Sequence, residues 1–469
     1  MIRRFLSSQL RRNVASGIVA AGLDLVVLAV SYPVYLHFLG YERLGLWFAL
    51  VAVVMVAQLG NFGVTHAVTK LVAEEHGRGD LRGAQSFVLT GVLFVLTPGT
   101  VAAVAIVLFR GQILSLLRLS TEQVEVVAGL MPFIALLCVY ALSVDALNGA
   151  LAGMGRMDQT SLCQVLARVV LAGVSIVLLV CGFGIEGMLI ATFASYVVRH
   201  AATHLLLRRL GLRVFRWSNF DLARLRRILG FGMNVFGGSL ASLLLAPFNR
   251  LVLTRYAGPA AVPVLDIAFN GCARLRMLLT GGLAALMPEV SRLSARPSED
   301  WLEPGESVSA AGGTLPASQA SLRERIVTVN RRALRLILFL GVPGYALLFL
   351  LAEAGLKLWL GPTYVPALPG TFRVILVGSF LSLLAAPAFF TLLGLGRSRD
   401  TMLGHVSQSG LSVLTIAGLL VIYGTISVTG VASAVSLGCA GATLLLLLRY
   451  RWAVARLPSG TDAADGDAR

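Results

Sequence analysis

The sequence is poor in charged residues and in cysteine, and both shortages narrow the class of protein. Only 13% of the 469 residues are charged, whereas soluble domains usually carry about a quarter. The five cysteines form no Cys-x-x-Cys pair and fall in apolar segments, so we interpret them as packing residues rather than disulfides or metal ligands. In contrast, 57% of the residues are hydrophobic and the mean hydropathy is +0.82. This composition predicts an integral membrane protein.

Apolar runs long enough to cross the bilayer occur about twelve times in the sequence. A helix needs roughly 20 residues to cross about 30 Å of hydrocarbon. The predicted spans are 14–38, 45–69, 84–108, 127–150, 161–181, 184–207, 229–253, 262–287, 333–353, 368–391, 403–423 and 426–448. The chain is therefore expected to be an all-α membrane protein that crosses the membrane many times.

The formal net charge of +16 follows a membrane topology and does not indicate a nucleic acid partner. If the N-terminus is cytoplasmic, most Lys and Arg residues lie in segments on the inner side. The outer loops hold only Arg43, Arg110, Arg118, Arg250, Arg255 and Lys357. This asymmetry predicts an even number of helices, with both termini in the cytoplasm.

A duplicated phrase divides the chain into two halves. Leu151-Ala-Gly153-Met-Gly155-Arg156 recurs as Leu392-Leu-Gly394-Leu-Gly396-Arg397, which predicts two parallel repeats of six helices. The predicted parts are an N-lobe at 1–207, a basic linker at 208–228, a C-lobe at 229–450 and a cytoplasmic tail at 451–469. The C-lobe includes a flexible cytoplasmic insertion at 297–320, rich in Pro, Gly, Ser and Ala. The linker is either an amphipathic helix that binds anionic lipid or a plain connection whose basic residues reflect the excess of Lys and Arg on the cytoplasmic side.

The sequence resembles the bacterial oligosaccharide flippase (polysaccharide transporter) family. Its superfamily also holds the multidrug and toxin extrusion (MATE) antiporters and the peptidoglycan lipid flippases. The resemblance is carried by Phe38-Leu-Gly40-Tyr-Glu-Arg-Leu-Gly45-Leu-Trp47, Leu59-Gly-Asn-Phe-Gly63, Lys70-Leu-Val-Ala-Glu-Glu75, Leu358-Trp-Leu-Gly361-Pro-Thr-Tyr364 and the paired Gly-x-Gly-Arg loops. It implies a MATE-like fold and export of a lipid-linked oligosaccharide, typically on undecaprenyl pyrophosphate, by two lobes that open alternately to each side.

One position departs from the family pattern. Such proteins often show an Asp-Arg pair near the end of the seventh helix, whereas this chain has Asn249-Arg250. Arg250 is thereby expected to lack its neighbouring carboxylate, and we expect it to extend to the outer interface instead.

The eighth predicted helix offers the best substrate site. Asp266, Asn270 and Arg274 are spaced four apart and share a face, with Arg276 on another side. Ionisable residues inside a membrane usually face a water-filled path or a partner. Arg274 would bind pyrophosphate while Asp266 and Asn270 contact sugar hydroxyls; the alternative is a closed structural Asp-Arg pair.

Other candidates lie in the first half. Asp24 in the first helix would pair with a cavity arginine, take up a proton, or tie two helices together. Gln58 and Asn61 begin a polar stripe on the second helix that suits a sugar. Arg168, four residues after Gln164, completes the set of cavity candidates.

Two rivals remain open, namely a cation-coupled drug antiporter of the same fold and a membrane glycan polymerase or ligase. The antiporter should have a site rich in carboxylates and aromatics, and the enzyme should have substantial outer loops, whereas the outer loops here are short. No nucleotide motif is present, because neither Gly-x-Gly loop follows a strand or precedes a Walker lysine. We therefore expect a transporter and not an enzyme, with no cofactor. Its partners would be lipid-linked oligosaccharide, membrane lipids, and the polymerase and glycosyltransferases of one pathway.

Overall fold

The computed structural model describes residues 8–214, 221–280, 290, 307–310, 313–316 and 322–457, and nearly all of them are helical. The helices are α1 (Ser8–Ala57), α2 (Val64–Gly77), α3 (Leu81–Leu108), α4 (Arg110–Leu117), α5 (Thr121–Gly153), α6 (Met157–Val180), α7 (Gly184–Arg209), α8 (Leu222–Tyr256), α9 (Ala261–Thr280), α10 (Leu322–Leu360), α11 (Ala367–Gly394), α12 (Ser398–Tyr423) and α13 (Val428–Ala455). The all-helical class is confirmed, with one small exception. Strand β1 (Ser307–Ala310) pairs antiparallel with β2 (Gly313–Pro316) inside the predicted insertion 297–320; the rest of that insertion lies outside the described residues.

Within the described residues, eight helical stretches are long and apolar enough to cross a membrane. They are Gly22–Asn61, Leu81–Leu108, Thr121–Gly153, Met157–Val180, Arg323–Thr363, Ala367–Gly394, Ser398–Tyr423 and Val428–Ala455. The first has 40 residues and bends at Gly40. At 1.5 Å per residue it is about 60 Å long, enough for two of the predicted spans. Helices α7, α8 and α9 coincide with three more predicted spans but carry more polar residues.

Packing groups the helices into two compact units. Unit 1 contains the described residues of Met1–Ile267, Lys357–Leu368 and Tyr423–Val428, and unit 2 contains those of Ala268–Leu356, Pro369–Ile422 and Thr429–Arg469. Helix α8, which the repeat assigns to the second lobe, packs on α1, α2 and α3 in unit 1. The division by packing therefore comes later in the chain than the division by sequence repeat.

A short stretch at the end of α10 joins unit 1 through two side chains of the family motifs. Trp359 donates a hydrogen bond from Nε1 to the carbonyl of Ala29, at 2.7 Å. The hydroxyl of Tyr41 donates to the carbonyl of Thr363, at 2.9 Å. Both acceptors are backbone carbonyls, so these contacts hold the stretch through hydrogen bonds to the main chain and involve no charged group.

The core of unit 1 is formed by α2, α3, α5, α7 and α8, and it includes the fully buried Phe87. Small residues bring α2 and α5 close together. A Cβ atom on Gly149 would lie 2.5 Å from the carbonyl oxygen of Thr65, and one on Gly153 would lie 2.6 Å from that of Thr69. Close backbone approach through small residues is a common way for helices to associate within a membrane.

The predicted basic linker is only partly described. Leu212 and Val214, directly after α7, are fully buried in the unit 1 core, so this part of the linker packs against the helices. Residues 215–220 lie outside the described part. Helix α8 then begins at Leu222, and the side chain of Asp221 caps it by accepting a hydrogen bond from the amide of Ala223 at 2.9 Å.

The duplicated Gly-x-Gly-Arg phrases adopt the same backbone, as expected of tight turns between helices. Gly155 follows the end of α5 with φ 75°, and Gly396 follows the end of α11 with φ 74°. Each amide donates a hydrogen bond three residues back, to Ala152 and to Leu393, at 3.0 Å. This left-handed conformation favours glycine, which explains why the phrase is retained in both halves.

Candidate functional site

Among the residues that the structure describes, three aspartate–arginine pairs join helices of unit 1. They link α1 to α6, α5 to α7, and α8 to α9. Burying an isolated charge is costly unless it is paired. Pairing across neighbouring helices therefore stabilises unit 1 and fixes the positions of its helices.

The first pair contains two of the predicted site residues. Arg168 Nε lies 2.7 Å from Asp24 Oδ1, so of the three roles predicted for Asp24 the structure shows the pairing with an arginine. Asp24 is largely buried, whereas the guanidinium of Arg168 is partly exposed. A role of either residue in transport stays a prediction.

The second pair lies in a polar cluster that the sequence did not reveal. Arg199 Nη1 lies 2.9 Å from Asp145 Oδ1, so this arginine pairs with a carboxylate of a neighbouring helix. Tyr196 of α7 is close enough to both charges, and to Gln58, to interact with them. One turn further along α7, His200 Nδ1 is 3.0 Å from the Tyr140 hydroxyl. The signal that was available is the spacing of Tyr196, Arg199 and His200, which places all three on one side of α7.

The third pair corrects two expectations about Arg250. This residue lies inside α8, and its Nε and Nη2 atoms are 3.0 and 2.8 Å from the two carboxylate oxygens of Asp266. Its guanidinium also lies over the ring of Phe48, 5.3 Å from the centroid. Arg250 therefore does not extend to the outer interface, and it does not lack a carboxylate. The carboxylate comes from Asp266 on the next helix, and not from residue 249, which is Asn.

This pair also redefines the predicted face of α9. The helix is continuous from Ala261 to Thr280, so Asp266, Asn270 and Arg274 do share a face, as their spacing predicts. Asp266, however, is bound bidentately by Arg250 and is buried. The structure therefore shows Asp266 paired with Arg250 of the preceding helix, and a contact of Asp266 with sugar hydroxyls stays a prediction.

The polar stripe predicted on the second helix is interrupted. Gln58 and Asn61 lie in a 3-10 turn, Gln58–Asn61, and the chain then passes through left-handed Phe62 and Gly63 before α2 begins. Asn61 caps α2 by accepting a hydrogen bond from the amide of Thr65, at 3.0 Å, and by donating to its hydroxyl, at 2.8 Å. These bonds hold Asn61 against the first turn of α2, and its contact with a sugar stays a prediction.

Unit 2 presents a different kind of polar site, centred on Arg276 of α9. This guanidinium acts electrostatically on Cys272 of its own helix, Tyr345 of α10, His405 of α12 and Cys439 of α13. Among the residues that the structure describes, no carboxylate forms an ion pair with Arg276.

Two of these residues, Tyr345 and Cys439, also take part in side-chain hydrogen bonds. The Tyr345 hydroxyl lies 3.1 Å from Ser379 Oγ, and Gln408 Nε2 lies 3.3 Å from Cys439 Sγ. An arginine surrounded by hydroxyl, amide and imidazole groups can bind an anion that carries many hydroxyls.

A protein-family model and several solved structures match this chain. The family model for polysaccharide biosynthesis protein matches residues 10–294. No curated protein gives a significant sequence match. An inward-facing multidrug resistance MATE family transporter of the MOP superfamily is 19% identical with a TM-score of 0.70, covering 96% of each chain.

Two further solved structures show the same fold. A MOP superfamily transporter from Pyrococcus furiosus, whose binding pocket of reverse polarity suggests a different function, is 19% identical with a TM-score of 0.60, covering 94% of this chain and 95% of its own. An outward-facing MATE family transporter is 17% identical with a TM-score of 0.61, covering 95% of each chain. The chain belongs to the polysaccharide biosynthesis protein family and is a multi-pass membrane protein with a MATE-like fold.

Proposed function

We propose that the protein is a transporter that moves a lipid-linked oligosaccharide, carried on undecaprenyl pyrophosphate, from the cytoplasmic to the outer leaflet. It breaks no covalent bond, and its two lobes open alternately to each side of the membrane. Membership of the polysaccharide biosynthesis family supports a glycan as the cargo. The task is then to move an anionic, hydroxyl-rich headgroup through hydrocarbon.

The observation that carries the proposal is the environment of Arg276. A charged residue inside a membrane is costly and usually serves a substrate path or a partner. No carboxylate among the described residues pairs with Arg276, and the groups on which it acts include the hydroxyl of Tyr345 on α10 and the imidazole of His405 on α12. A guanidinium binds two phosphate oxygens at once and stays charged at any physiological pH. Arg276 therefore suits the pyrophosphate, and the surrounding hydroxyl and amide groups suit the sugar.

The rival function, exchange of a cationic drug for protons or sodium, needs carboxylates that are open to the cargo. The helix carboxylates described above, Asp24, Asp145 and Asp266, are each paired with an arginine. A membrane polymerase or ligase needs room for an active site outside the membrane. The connections on the predicted outer side are short, and the longest of them contains only the eight-residue helix α4.

The proposed setting is the cytoplasmic membrane of a bacterium, with both termini in the cytoplasm, as the distribution of basic residues predicts. The cargo would be made by glycosyltransferases on the inner side and used by a polymerase on the outer side. Neither partner is a nucleic acid.

The test is transport in reconstituted vesicles. Purified protein is mixed with a fluorescent lipid-pyrophosphate oligosaccharide, and the fraction accessible to an added quencher is followed with time. Replacing Arg276 by Ala should slow transport by about tenfold or more, because a hydrogen bond to a charged group contributes about 1.5–3 kcal/mol. Arg274→Ala tests the arginine that the sequence favoured.

Arg373→Ala is the matched control. This arginine also lies in a unit 2 helix, but its Nε donates to the carbonyl of Phe349 at 3.1 Å and its side chain is partly exposed. The control should transport normally, and all variants should unfold at temperatures near that of the wild type. Normal transport by the Arg276 variant would remove the site. Failure of the wild-type protein to move the lipid, combined with uptake of a cationic dye, would support the antiporter instead.

A further inference from the structure

Two arginines stack on one exposed tryptophan at the end of α13 in unit 2, and a third lies close by in the chain. The guanidinium of Arg456 lies 3.6 Å from the ring centroid of Trp452, and that of Arg397 lies 4.3 Å from it. Arg449 lies one turn earlier on α13. We call Arg397, Arg449, Trp452 and Arg456 the arginine–tryptophan cluster. Cation–π stacking of this kind orients a planar guanidinium and leaves its N–H groups at the edge available to an anion.

The positive charge of the cluster exceeds the negative charge that is paired with it. Its acid is Asp400, a buried carboxylate that lies 2.6 Å from Arg397 Nε and 3.6 Å from Arg449 Nη1. Among the described residues, no carboxylate forms an ion pair with Arg456. One carboxylate therefore balances three guanidinium groups, and a net positive charge of about two remains.

An exposed apolar stripe leads to this charge along α13. Leu444, Leu448 and Trp452 are 62%, 53% and 42% exposed and are spaced four residues apart, so they lie along one side of the helix. The helix belongs to a membrane-spanning stretch, in which exposed leucines face hydrocarbon. Tryptophan is enriched where such a helix leaves the hydrocarbon for the headgroup layer.

We propose that the arginine–tryptophan cluster binds the phosphate of an anionic phospholipid whose hydrocarbon chains lie along Leu444 and Leu448. The stripe ends where the excess guanidinium charge begins, and this order of apolar and cationic groups matches a lipid with a phosphate headgroup. Basic pockets at the cytoplasmic ends of membrane helices bind anionic lipids in this manner. The site is independent of the transported substrate and does not rest on the proposed function.

The first half of the chain provides an internal comparison. When the halves are aligned on the duplicated phrase, Arg156 matches Arg397, Arg208 matches Arg449, and Gly211 stands where Trp452 stands. The first half thus has two of the arginines but no aromatic platform. Variants of Arg156 and Arg208 remove the same amount of charge from the same side of the membrane, so they control for general attraction to anionic lipid.

The experiment measures lipid binding to the delipidated full-length protein in neutral detergent by native mass spectrometry. Phosphatidylglycerol is titrated, with phosphatidylcholine and inorganic phosphate as separate arms. The wild type should retain phosphatidylglycerol well above phosphatidylcholine. Each arginine lost should weaken binding by about fivefold, and Arg449→Ala/Arg456→Ala by about thirtyfold, from the attraction of one basic residue to anionic lipid.

Two further variants and the inorganic phosphate arm determine what each result means. Arg156→Ala/Arg208→Ala should change binding less than twofold. Arg456→Ala alone breaks no ion pair among the described residues, so it carries the test if the double variant unfolds. Equal loss in the first-half variant, unchanged binding in the Arg456 variant, or displacement of the lipid by inorganic phosphate would each overturn the proposal.

Discussion

The pair between Arg250 and Asp266 offers the sharpest test of how unit 1 is held together. Both side chains are buried, 13% and 9% exposed, and two hydrogen bonds join them. We consider three variants, namely Asp266→Leu, Arg250→Met and the double substitution. Each single change removes one partner of the ion pair and leaves the other charge in place, whereas the double change removes both charges.

The expected magnitudes follow from this burial. Removing one partner of a buried ion pair costs about 3–5 kcal/mol, because the other charge stays desolvated. Replacing both partners by apolar residues of similar volume is often neutral or stabilising. Each single variant should therefore be destabilised by about 3–5 kcal/mol, and the double variant by much less than their sum. The coupling between the two sites should be of the same size as either single effect.

The assay is thermal unfolding of the purified variants in one detergent, followed by the loss of the monodisperse peak on gel filtration. Glu74→Gln is the control, since Glu74 pairs with Lys70 and Arg227 in a partly exposed setting. Its loss should stay below about 1 kcal/mol. If the two single effects simply add in the double variant, the pair is not a coupled buried unit and the reasoning fails.

Two further predictions concern local backbone structure. Gly63→Ala should strongly destabilise the protein, because Gly63 has φ 72° and a Cβ there would lie 2.2 Å from the carbonyl oxygen of Gly232; Gly111→Ala in α4, where nothing lies within 4 Å, should be neutral or stabilising by up to about 1 kcal/mol in the same unfolding assay. Ser120→Ala should cost about 1 kcal/mol by removing the capping box that Ser120 forms with Gln123, and an unchanged unfolding temperature would show that this cap contributes nothing.

Much of the fold is predictable from the sequence because hydrocarbon leaves the backbone few choices. A segment that cannot bond to water must satisfy its own polar groups, so a long apolar run is a helix. The ends of α3, α5 and α7 fall within a few residues of the predicted spans. The duplicated turns at Gly155 and Gly396 were visible because glycine in a left-handed turn leaves a trace in the sequence.

The partners of the charged residues were not predictable, because each ion pair joins two different helices. Spacing along one helix groups Asp266 with Arg274 but gives no information about Arg250, which lies on the preceding helix. Similarly, Asn61 and Thr65 read as parts of one stripe until the left-handed residues between them show a helix cap. Pattern arguments hold within one element and fail where a contact depends on how helices pack.

The positions that the two halves share differ in kind from the positions at which they diverge. The two halves share the turns that end α5 and α11, which any copy of the fold needs. They differ where charge is placed: Arg168 of the first half, paired with Asp24, corresponds to Ser409 in the second. A structural pair retained for stability would be expected in both copies if the fold required it. The pair of Asp24 and Arg168 is therefore a feature of the first half, where it joins α1 to α6, and the fold that both halves share does not require it.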